Sequence, residues 1–273
     1  MRSLDRTLVV VIAWCAATLL CADAHAQDDR KLALVIGNAA YASDLLRNPV
    51  NDARAVSVTL RDLGFAVIDR QNASLKDMLI ALQEFSIRAR KSQVRLIYYA
   101  GHGMQVKGRN YLIPIDADIS SEDEIPRKSA DVNDLLDRLG ELRAGMNIVI
   151  LDACRNNPFN NTPALNVDGR RIRTRAVGAA DGLSSVEAPR GTLVAYSTSP
   201  GMVAIDSGSQ KNSVYTKHLL TQLNVRAQTV EQMFKRIRVA VAAETQNLQV
   251  PWETSSLFGN FCFRSDAAGQ CGP

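Results

Sequence analysis

Apolar segments of strand length alternate with helical segments along most of this chain. The strand-like runs are Lys31–Gly37, Phe65–Asp69, Val94–Ala100, Met146–Ile150 and Thr192–Ser199, with a hairpin-like segment at Asn110–Asp116. Apolar residues at helical spacing predict helices near 48–64, 72–85, 130–142, 213–223 and 229–246. Continuous apolar strands separated by helices are typical of a sheet buried on both faces. The sequence therefore predicts an α/β fold, a mainly parallel sheet of about six strands with helices on both faces.

The first 26 residues differ from the rest of the chain. A weakly basic start precedes an uncharged, mostly apolar run of 13 residues, Leu8–Leu20, and Ala24-His25-Ala26 follows it. This pattern predicts a signal peptide cleaved after Ala26, because the run is too short to span a bilayer. We therefore expect export to the periplasm or the extracellular space and no membrane association after cleavage. Lipidation at Cys21 is the alternative, although Leu20 stands where such sites have a small residue.

Composition excludes some classes of partner. The chain is 46% hydrophobic and 22% charged, which is ordinary for a globular protein with a full core. Its net charge of +4 is too small to indicate nucleic-acid binding, and we find no long run of basic residues. The sequence also lacks a P-loop, an H-E-x-x-H helix and a G-x-S-x-G elbow.

Signal cleavage leaves three cysteines, Cys154, Cys262 and Cys271. Cys262 and Cys271 lie close together near the carboxyl terminus and are candidates for a disulfide in an oxidising compartment. Cys154 is then left without an obvious partner, which in an exported protein indicates chemistry. The cysteines and histidines are too scattered for zinc-binding spacing, so no metal site is predicted.

His102 and Cys154 each follow a predicted strand. The carboxyl ends of parallel strands meet at one edge of a sheet, so these two side chains are expected near each other. An imidazole beside a thiol stabilises the thiolate and later protonates a leaving amine. The backbone N–H groups of Gly103 and Cys154 are the candidate donors to an oxyanion. The alternative is that Cys154 is a small buried core residue.

The chain resembles a known family in several segments. "NPVNDARAV", "YYAGHGMQ", "YLIPIDA", "LDACRNNPF", "GTLVAYSTSPG" and "PWETSSLFG" are similar to segments of the caspase-like peptidases of bacteria, relatives of metacaspases and paracaspases. The histidine at position 102 precedes the cysteine at position 154 by 52 residues, close to the caspase spacing of about 50. The resemblance covers almost all of the mature chain. It implies a caspase-haemoglobinase fold with a Cys–His dyad that cleaves peptide bonds.

The same resemblance implies a domain organisation. Residues 27–273 correspond to one caspase-like catalytic domain, with a large-subunit-like region at 27–160 and a small-subunit-like region with a tail at 191–273. The segment between them, 161–190, is basic and holds four arginines, Arg170, Arg171, Arg173 and Arg175. Two interpretations are open for this linker. It is a site of self-cleavage, or it is a solvated basic loop.

The residue two positions before the cysteine determines the expected specificity. True caspases have glutamine there and bind a substrate aspartate, whereas this chain has Asp152. A carboxylate repels an acidic side chain and attracts a basic one. Metacaspases and paracaspases carry an aspartate in this place, and Asp52 and Asp206 resemble their further pocket acids. Asp52 is equally compatible with a helix amino-terminal acid, whereas for Asp206 a solvated loop acid is the favoured interpretation. The alternative for Asp152 is a carboxylate that only hydrogen-bonds backbone at the strand end.

Two further groups of residues are interpreted as structural. Some metacaspases need calcium, and an acidic stretch offers oxygen ligands, but its spacing is not that of an EF-hand and no cofactor is predicted. Its members are Asp116, Asp118, Glu122, Asp123 and Glu124. His218 lies in the middle of a predicted helix and is interpreted as a surface or packing residue.

The resulting hypothesis is an exported cysteine endopeptidase that cleaves after Arg or Lys in peptide or protein substrates. Two alternatives remain open at this stage. One is a catalytically silent caspase-like binding or regulatory module, and the other is an Asp-specific peptidase.

Overall fold

A computed structural model describes residues 30–42, 45–142, 144–155, 166–167, 170–171, 187–199 and 210–272. The predicted signal peptide, Asp206, Arg173 and Arg175 lie outside these residues. Within the described ranges, no helix is both long and apolar enough to cross a bilayer.

The described residues form ten strands and six helices. The strands are β1 (Lys31–Gly37), β2 (Ala66–Gln71), β3 (Val94–Val106), β4 (Arg109–Leu112), β5 (Ala130–Asp131), β6 (Met146–Arg155), β7 (Asn166–Val167), β8 (Arg170–Arg171), β9 (Thr192–Tyr196) and β10 (Trp252–Ser255). The helices are α1 (Pro49–Asp62), α2 (Leu75–Ala89), α3 (Ile125–Lys128), α4 (Val132–Gly140), α5 (Val214–Leu223) and α6 (Val230–Glu244). A 3₁₀ turn, Glu122–Glu124, precedes α3.

Six strands form the main path of one sheet, in the order β10, β9, β6, β3, β1, β2. The five strands from β9 to β2 are mutually parallel, and β10 runs antiparallel to β9 at one edge. The short strands β4 and β5 continue antiparallel from the far end of β3. The predicted α/β fold with about six main strands is therefore confirmed.

Helices cover both faces of the sheet because successive strand residues alternate between the two faces. On one face, Ile97 and Val149 pack with Phe85 of α2 and with α4. On the other, Tyr98 and Ile150 pack with α1, α5 and α6. Burial on both faces explains why the strands are apolar throughout.

Polar residues at the helix amino termini fix where several helices begin. The side chains of Ser74, Ser213 and Thr229 accept hydrogen bonds from backbone N–H groups in the first turns of α2, α5 and α6. Such caps satisfy donors that have no partner within the helix. The sequence pattern placed the starts of α5 and α6 near Ser213 and Thr229, whereas for α2 it left the start open between Asn72 and Ser74.

The strands that carry the predicted dyad are longer than the sequence pattern indicated. The apolar run predicted an end at Ala100, but β3 continues through the glycines to Val106. β6 likewise continues through Arg155. Residues Gly103 to Val106 pair with β4, and this pairing keeps the segment extended. The expectation that His102 and Cys154 follow their strands was wrong, because both lie inside them.

One buried hydroxyl provides a test of the core. Tyr215 of α5 is fully buried, and its hydroxyl has no hydrogen-bond partner among the described residues. Burial, together with the charge of Asp152, raises the pKa of Tyr215 well above its ordinary value. An unsatisfied buried polar group costs about 1–3 kcal/mol. We therefore expect Tyr215→Phe to raise the free energy of unfolding by about 1 kcal/mol at pH 7, measured by urea denaturation.

Tyr98→Phe is the matched control, because the Tyr98 hydroxyl lies 2.6 Å from Thr216 Oγ1 and its removal should lower stability. The pH dependence gives a second readout. The folded-state pKa of Tyr215 is raised, so the wild type loses stability as the pH rises above about 10, where the unfolded tyrosine ionises. Tyr215→Phe should lose less over this range. Equal destabilisation by Tyr215→Phe and Tyr98→Phe would contradict the assignment of the Tyr215 hydroxyl as an unsatisfied buried group.

Candidate active site

The parallel pairing of β3 with β6 brings the two predicted catalytic residues together. The register runs from Val94 opposite Met146 to Gly103 opposite Arg155, and it sets His102 opposite Cys154. Neighbouring strands in a sheet lie about 4.8 Å apart. Two residues 52 positions apart in the sequence are thus adjacent across one strand pair.

Two tyrosine hydroxyls hold the main chain of His102. The His102 N–H donates to Tyr41 Oη at 3.0 Å, and Tyr99 Oη donates to the His102 carbonyl at 2.8 Å. The two hydroxyls are 3.2 Å apart, and both lie within reach of the carbonyl oxygen of Ile113, at 3.1 and 2.9 Å. The N–H of Ile113 in turn donates to the His102 carbonyl at 3.1 Å. The backbone at His102 is therefore fixed on both sides.

Gly101 makes this arrangement possible. A Cβ atom at this position would lie 2.6 Å from Tyr41 Oη and 2.7 Å from Tyr99 Oη, which is closer than real contacts allow. The glycine before His102 is thus required by the tyrosines packed against it.

The imidazole of His102 packs against an aromatic ring. The ring centroids of Tyr41 and His102 are 4.3 Å apart at an interplanar angle of 53°, and His102 is 9% exposed. The Tyr41 ring therefore lies tilted against the imidazole, and the side chain that the proposal needs as acid and base is largely buried beside it.

The predicted pocket acid Asp52 is completely buried near the amino terminus of α1. Its Oδ1 atom accepts hydrogen bonds from Asn212 Nδ2 at 2.8 Å and from the Ser213 N–H at 3.0 Å. Asp52 therefore does more than supply a charge at a helix end, because it contacts the segment that begins α5.

The second predicted pocket acid, Asp152, contacts the same segment. It lies on β6 and is 1% exposed. Its Oδ2 atom accepts hydrogen bonds from Ser213 Oγ at 2.6 Å and from Thr216 Oγ1 at 2.9 Å. The segment from Asn212 to Thr216, which includes the N-cap of α5, thus donates to two carboxylates that the sequence had predicted to share a pocket. Donated hydrogen bonds and a helix amino terminus both stabilise negative charge.

The other predicted site residues fall in three places. Gly103 lies in β3 opposite Leu112 of β4. Arg170 and Arg171 form β8, which pairs antiparallel with β7. Asp206, Arg173 and Arg175 lie outside the described residues, so their roles stay predictions.

The residues interpreted as structural also have defined contacts. Asp116 accepts from the N–H of Leu75 at 2.9 Å, at the start of α2. The Ser120 N–H and Lys128 hold the pKa of Glu124 below its ordinary value. No group of three or more potential metal ligands occurs within the described ranges.

His218 and the two carboxyl-terminal cysteines lie away from the dyad in sequence. His218 Nε2 is 2.7 Å from Glu244 Oε2, so it joins α5 to the end of α6. Cys262 and Cys271 are joined by a disulfide with their Cα atoms 5.5 Å apart.

Sequence reasoning did not identify Tyr41, Tyr99, Ser213 or Thr216 as site residues. The signal for Ser213 was its place at a predicted helix start, which indicates a cap but not a contact with an acid. Tyr41 and Tyr99 carried no signal, because tyrosines in or near a strand are ordinary core residues.

Comparison with known proteins agrees with the geometry. The family model described as "Caspase domain" matches residues 30–262, most of this chain. The protein therefore belongs to the caspase-domain family and contains a caspase-like peptidase domain.

The individual relatives share modest sequence identity with this chain. The mucosa-associated lymphoid tissue lymphoma translocation protein 1 homolog of Mus musculus is 32% identical over 134 residues, which is 48% of this chain and 16% of that protein. The Homo sapiens protein of the same name matches with the same identity and coverage. The chain thus aligns with only 16% of the length of these relatives. The Drosophila initiator caspase Dronc superposes with a TM-score of 0.60 at 12% identity, covering 87% of this chain and 84% of that one. At this identity the superposition establishes the fold alone.

Proposed function

We propose that this protein is an exported cysteine endopeptidase that cleaves peptide bonds after Arg or Lys, with Cys154 as nucleophile and His102 as acid and base. The observation that carries the proposal is the β3–β6 register, which sets His102 beside Cys154. A caspase-like domain that has lost activity has no need to keep both residue types at this paired position.

The proposed reaction is acyl transfer. The Cys154 thiolate, stabilised by the imidazolium of His102, attacks the carbonyl carbon of the scissile bond. The N–H groups of Gly103 and Cys154 donate to the oxyanion that forms. His102 then gives its proton to the leaving amine as the C–N bond breaks, and water hydrolyses the thioester with His102 as base. The thiol is regenerated, so the cycle balances.

The proposed specificity follows from charge. Asp52 and Asp152 are both buried, and both accept hydrogen bonds from the segment Asn212–Thr216 at the start of α5. A guanidinium or ammonium group of the substrate would complement two carboxylates, whereas a substrate aspartate would be repelled. Because both acids are inaccessible in this structure, we infer that substrate binding opens segments around them other than the start of α5, whose contacts with both acids are kept. Asp206 is a proposed third acid.

Two further features belong to the proposal. The pattern of residues 1–26 supports export to the periplasm or extracellular space. An enzyme that cleaves after Arg can cleave its own linker at Arg170, Arg171, Arg173 or Arg175.

The experiment that tests the function uses fluorogenic peptides ending in Arg, Lys or Asp, assayed under reducing conditions with and without calcium. Wild type should cleave the Arg and Lys peptides, and Cys154→Ala should lower kcat/KM by about 1,000-fold or more. Incubation followed by gel electrophoresis reports self-cleavage, which Cys154→Ala should abolish.

Equal turnover by wild type and Cys154→Ala would exclude Cys154 as the nucleophile. Preference for the Asp peptide would support the Asp-specific alternative and contradict the assignment of the two acids. A folded wild type that cleaves none of the peptides and leaves its own linker intact would favour the silent binding module.

A further inference from the structure

A single residue contacts both acids of the proposed pocket with two different atoms. The Ser213 N–H donates to Asp52 Oδ1 at 3.0 Å, and its hydroxyl donates to Asp152 Oδ2 at 2.6 Å. The two acids come from different elements, since Asp52 lies on α1 and Asp152 on β6. Ser213 is 2% exposed, so these hydrogen bonds are shielded from water. The relative position of the two carboxylates therefore depends on Ser213.

Ser213 is itself held in place. Its Oγ atom accepts a hydrogen bond from the Thr216 N–H at 3.0 Å, the capping contact of α5. The neighbouring Asn212 adds a second donor to Asp52, and Thr216 Oγ1 adds a second donor to Asp152. Because this helix start is capped, it holds the positions of both carboxylates as well as stabilising their negative charge.

We propose that Ser213 is a specificity-determining positioning residue, which fixes Asp52 and Asp152 as one two-carboxylate unit that selects Arg over Lys. The inference rests on the proposed function and extends it to the choice between the two basic side chains. A guanidinium is a planar fork whose donors need acceptors at set positions, whereas an ammonium is a compact charge on a flexible stem. Loosening the two acids removes the geometry that arginine uses but leaves the attraction that lysine uses.

A simple capping role for Ser213 makes a different prediction. Loss of a cap lowers the stability of the helix and leaves the choice of substrate unchanged. Thr229 supplies the matched control, because it caps α6 through its own Oγ1 atom, which accepts from the Gln232 N–H at 3.3 Å.

The experiment compares Ser213→Ala with Thr229→Ala. For each variant, kcat/KM is measured with Arg and Lys peptides of otherwise identical sequence, and thermal unfolding is measured in parallel. We expect Ser213→Ala to lower kcat/KM for the Arg peptide by about 10- to 100-fold, the effect of losing a hydrogen bond to a charged group. The Lys peptide should lose less than about threefold, because a point charge tolerates displaced acceptors. Thr229→Ala should leave the Arg to Lys ratio unchanged at a similar loss of Tm.

Two more variants keep the test decisive if Ser213→Ala folds poorly. Ser213→Gly removes the hydroxyl at a cap position that tolerates glycine, so it should show the same fall in the ratio. Ser213→Thr retains the hydroxyl and should restore the ratio.

An unchanged ratio in Ser213→Ala and Ser213→Gly would overturn the inference while leaving the peptidase assignment intact. A fall in the ratio in Thr229→Ala of the same size would also overturn it, because the effect would then follow helix stability. Failure of the proposed function is a distinct result, since wild type would then cleave neither peptide.

Discussion

Replacing His102 with Gln is expected to lower kcat/KM for an Arg peptide by about 1,000-fold or more, because one residue serves as both acid and base in the proposed cycle. Without it, the Cys154 thiolate loses its counter-charge and the leaving amine loses its proton donor. The measurement is steady-state cleavage of the fluorogenic peptide, together with the rate of Cys154 alkylation by iodoacetamide as a function of pH. The alkylation rate at neutral pH should fall, since a smaller fraction of the thiol is ionised.

The chain offers a matched control for this substitution. Apart from His25 in the predicted signal peptide, His218 is the only other histidine in the sequence. It contacts Glu244 and lies 26 positions from it in sequence, at the junction of α5 and α6. His218→Gln should leave kcat/KM within about twofold of wild type, as expected for a partly exposed side-chain contact that is not part of the proposed dyad. Similar losses in both variants would show that the effect of His102→Gln is not catalytic.

Replacing Asp152 with Asn is expected to lower kcat/KM for an Arg peptide by roughly 30- to 5,000-fold, the equivalent of about 2–5 kcal/mol. This is the range for removing one charge of a buried, hydrogen-bonded ion pair. Asn keeps the size of the side chain and can still accept from Ser213 and Thr216, so the substitution isolates the charge.

A citrulline peptide separates charge from shape, because citrulline has nearly the form of arginine without its charge. Wild type should discriminate strongly between the Arg and citrulline peptides, and Asp152→Asn should lose most of that discrimination. Asp62→Asn, which makes the same change at an exposed position on α1, should behave as wild type. Retention of the full Arg preference by Asp152→Asn would mean that Asp152 does not contact the substrate cation.

Much of the fold followed from local pattern. The strand-like run Lys31–Gly37 forms β1 with the predicted bounds, and the helices predicted to start near 213 and 229 are capped by Ser213 and Thr229. These features are short-range, since an apolar period or a cap is set within a few residues. The ends of β3 and β6 were mispredicted because both strands continue past their apolar runs. Gly103–Val106 of β3 pair with β4 in a local hairpin, and β6 pairs with β3 as far as Arg155, a contact between positions 52 apart in sequence.

The residues around the site also divide into those recognised from the sequence and those whose role depends on contacts between distant segments. His102 and Cys154 stood out in the sequence through residue type and position after predicted strands, and Asp52 and Asp152 through the resemblance to caspase-like peptidases. Tyr41 was not predicted, because its hydroxyl meets the His102 N–H across 61 positions of sequence. Ser213 was recognised only as a helix start, because its contact with Asp52 spans 161 positions.

The sequence by itself determined the alternation of strands and helices, the pairing of residue types that suits a thiol peptidase, and the sign of charge in the proposed pocket. These features depend on local periodicity and on side-chain chemistry, and both can be read directly from the sequence. Only the tertiary structure decided which groups hold His102 and which residue joins the two acids. Such contacts form only when segments distant in sequence pack against each other. They therefore depend on the register of the sheet and on the placement of the helices.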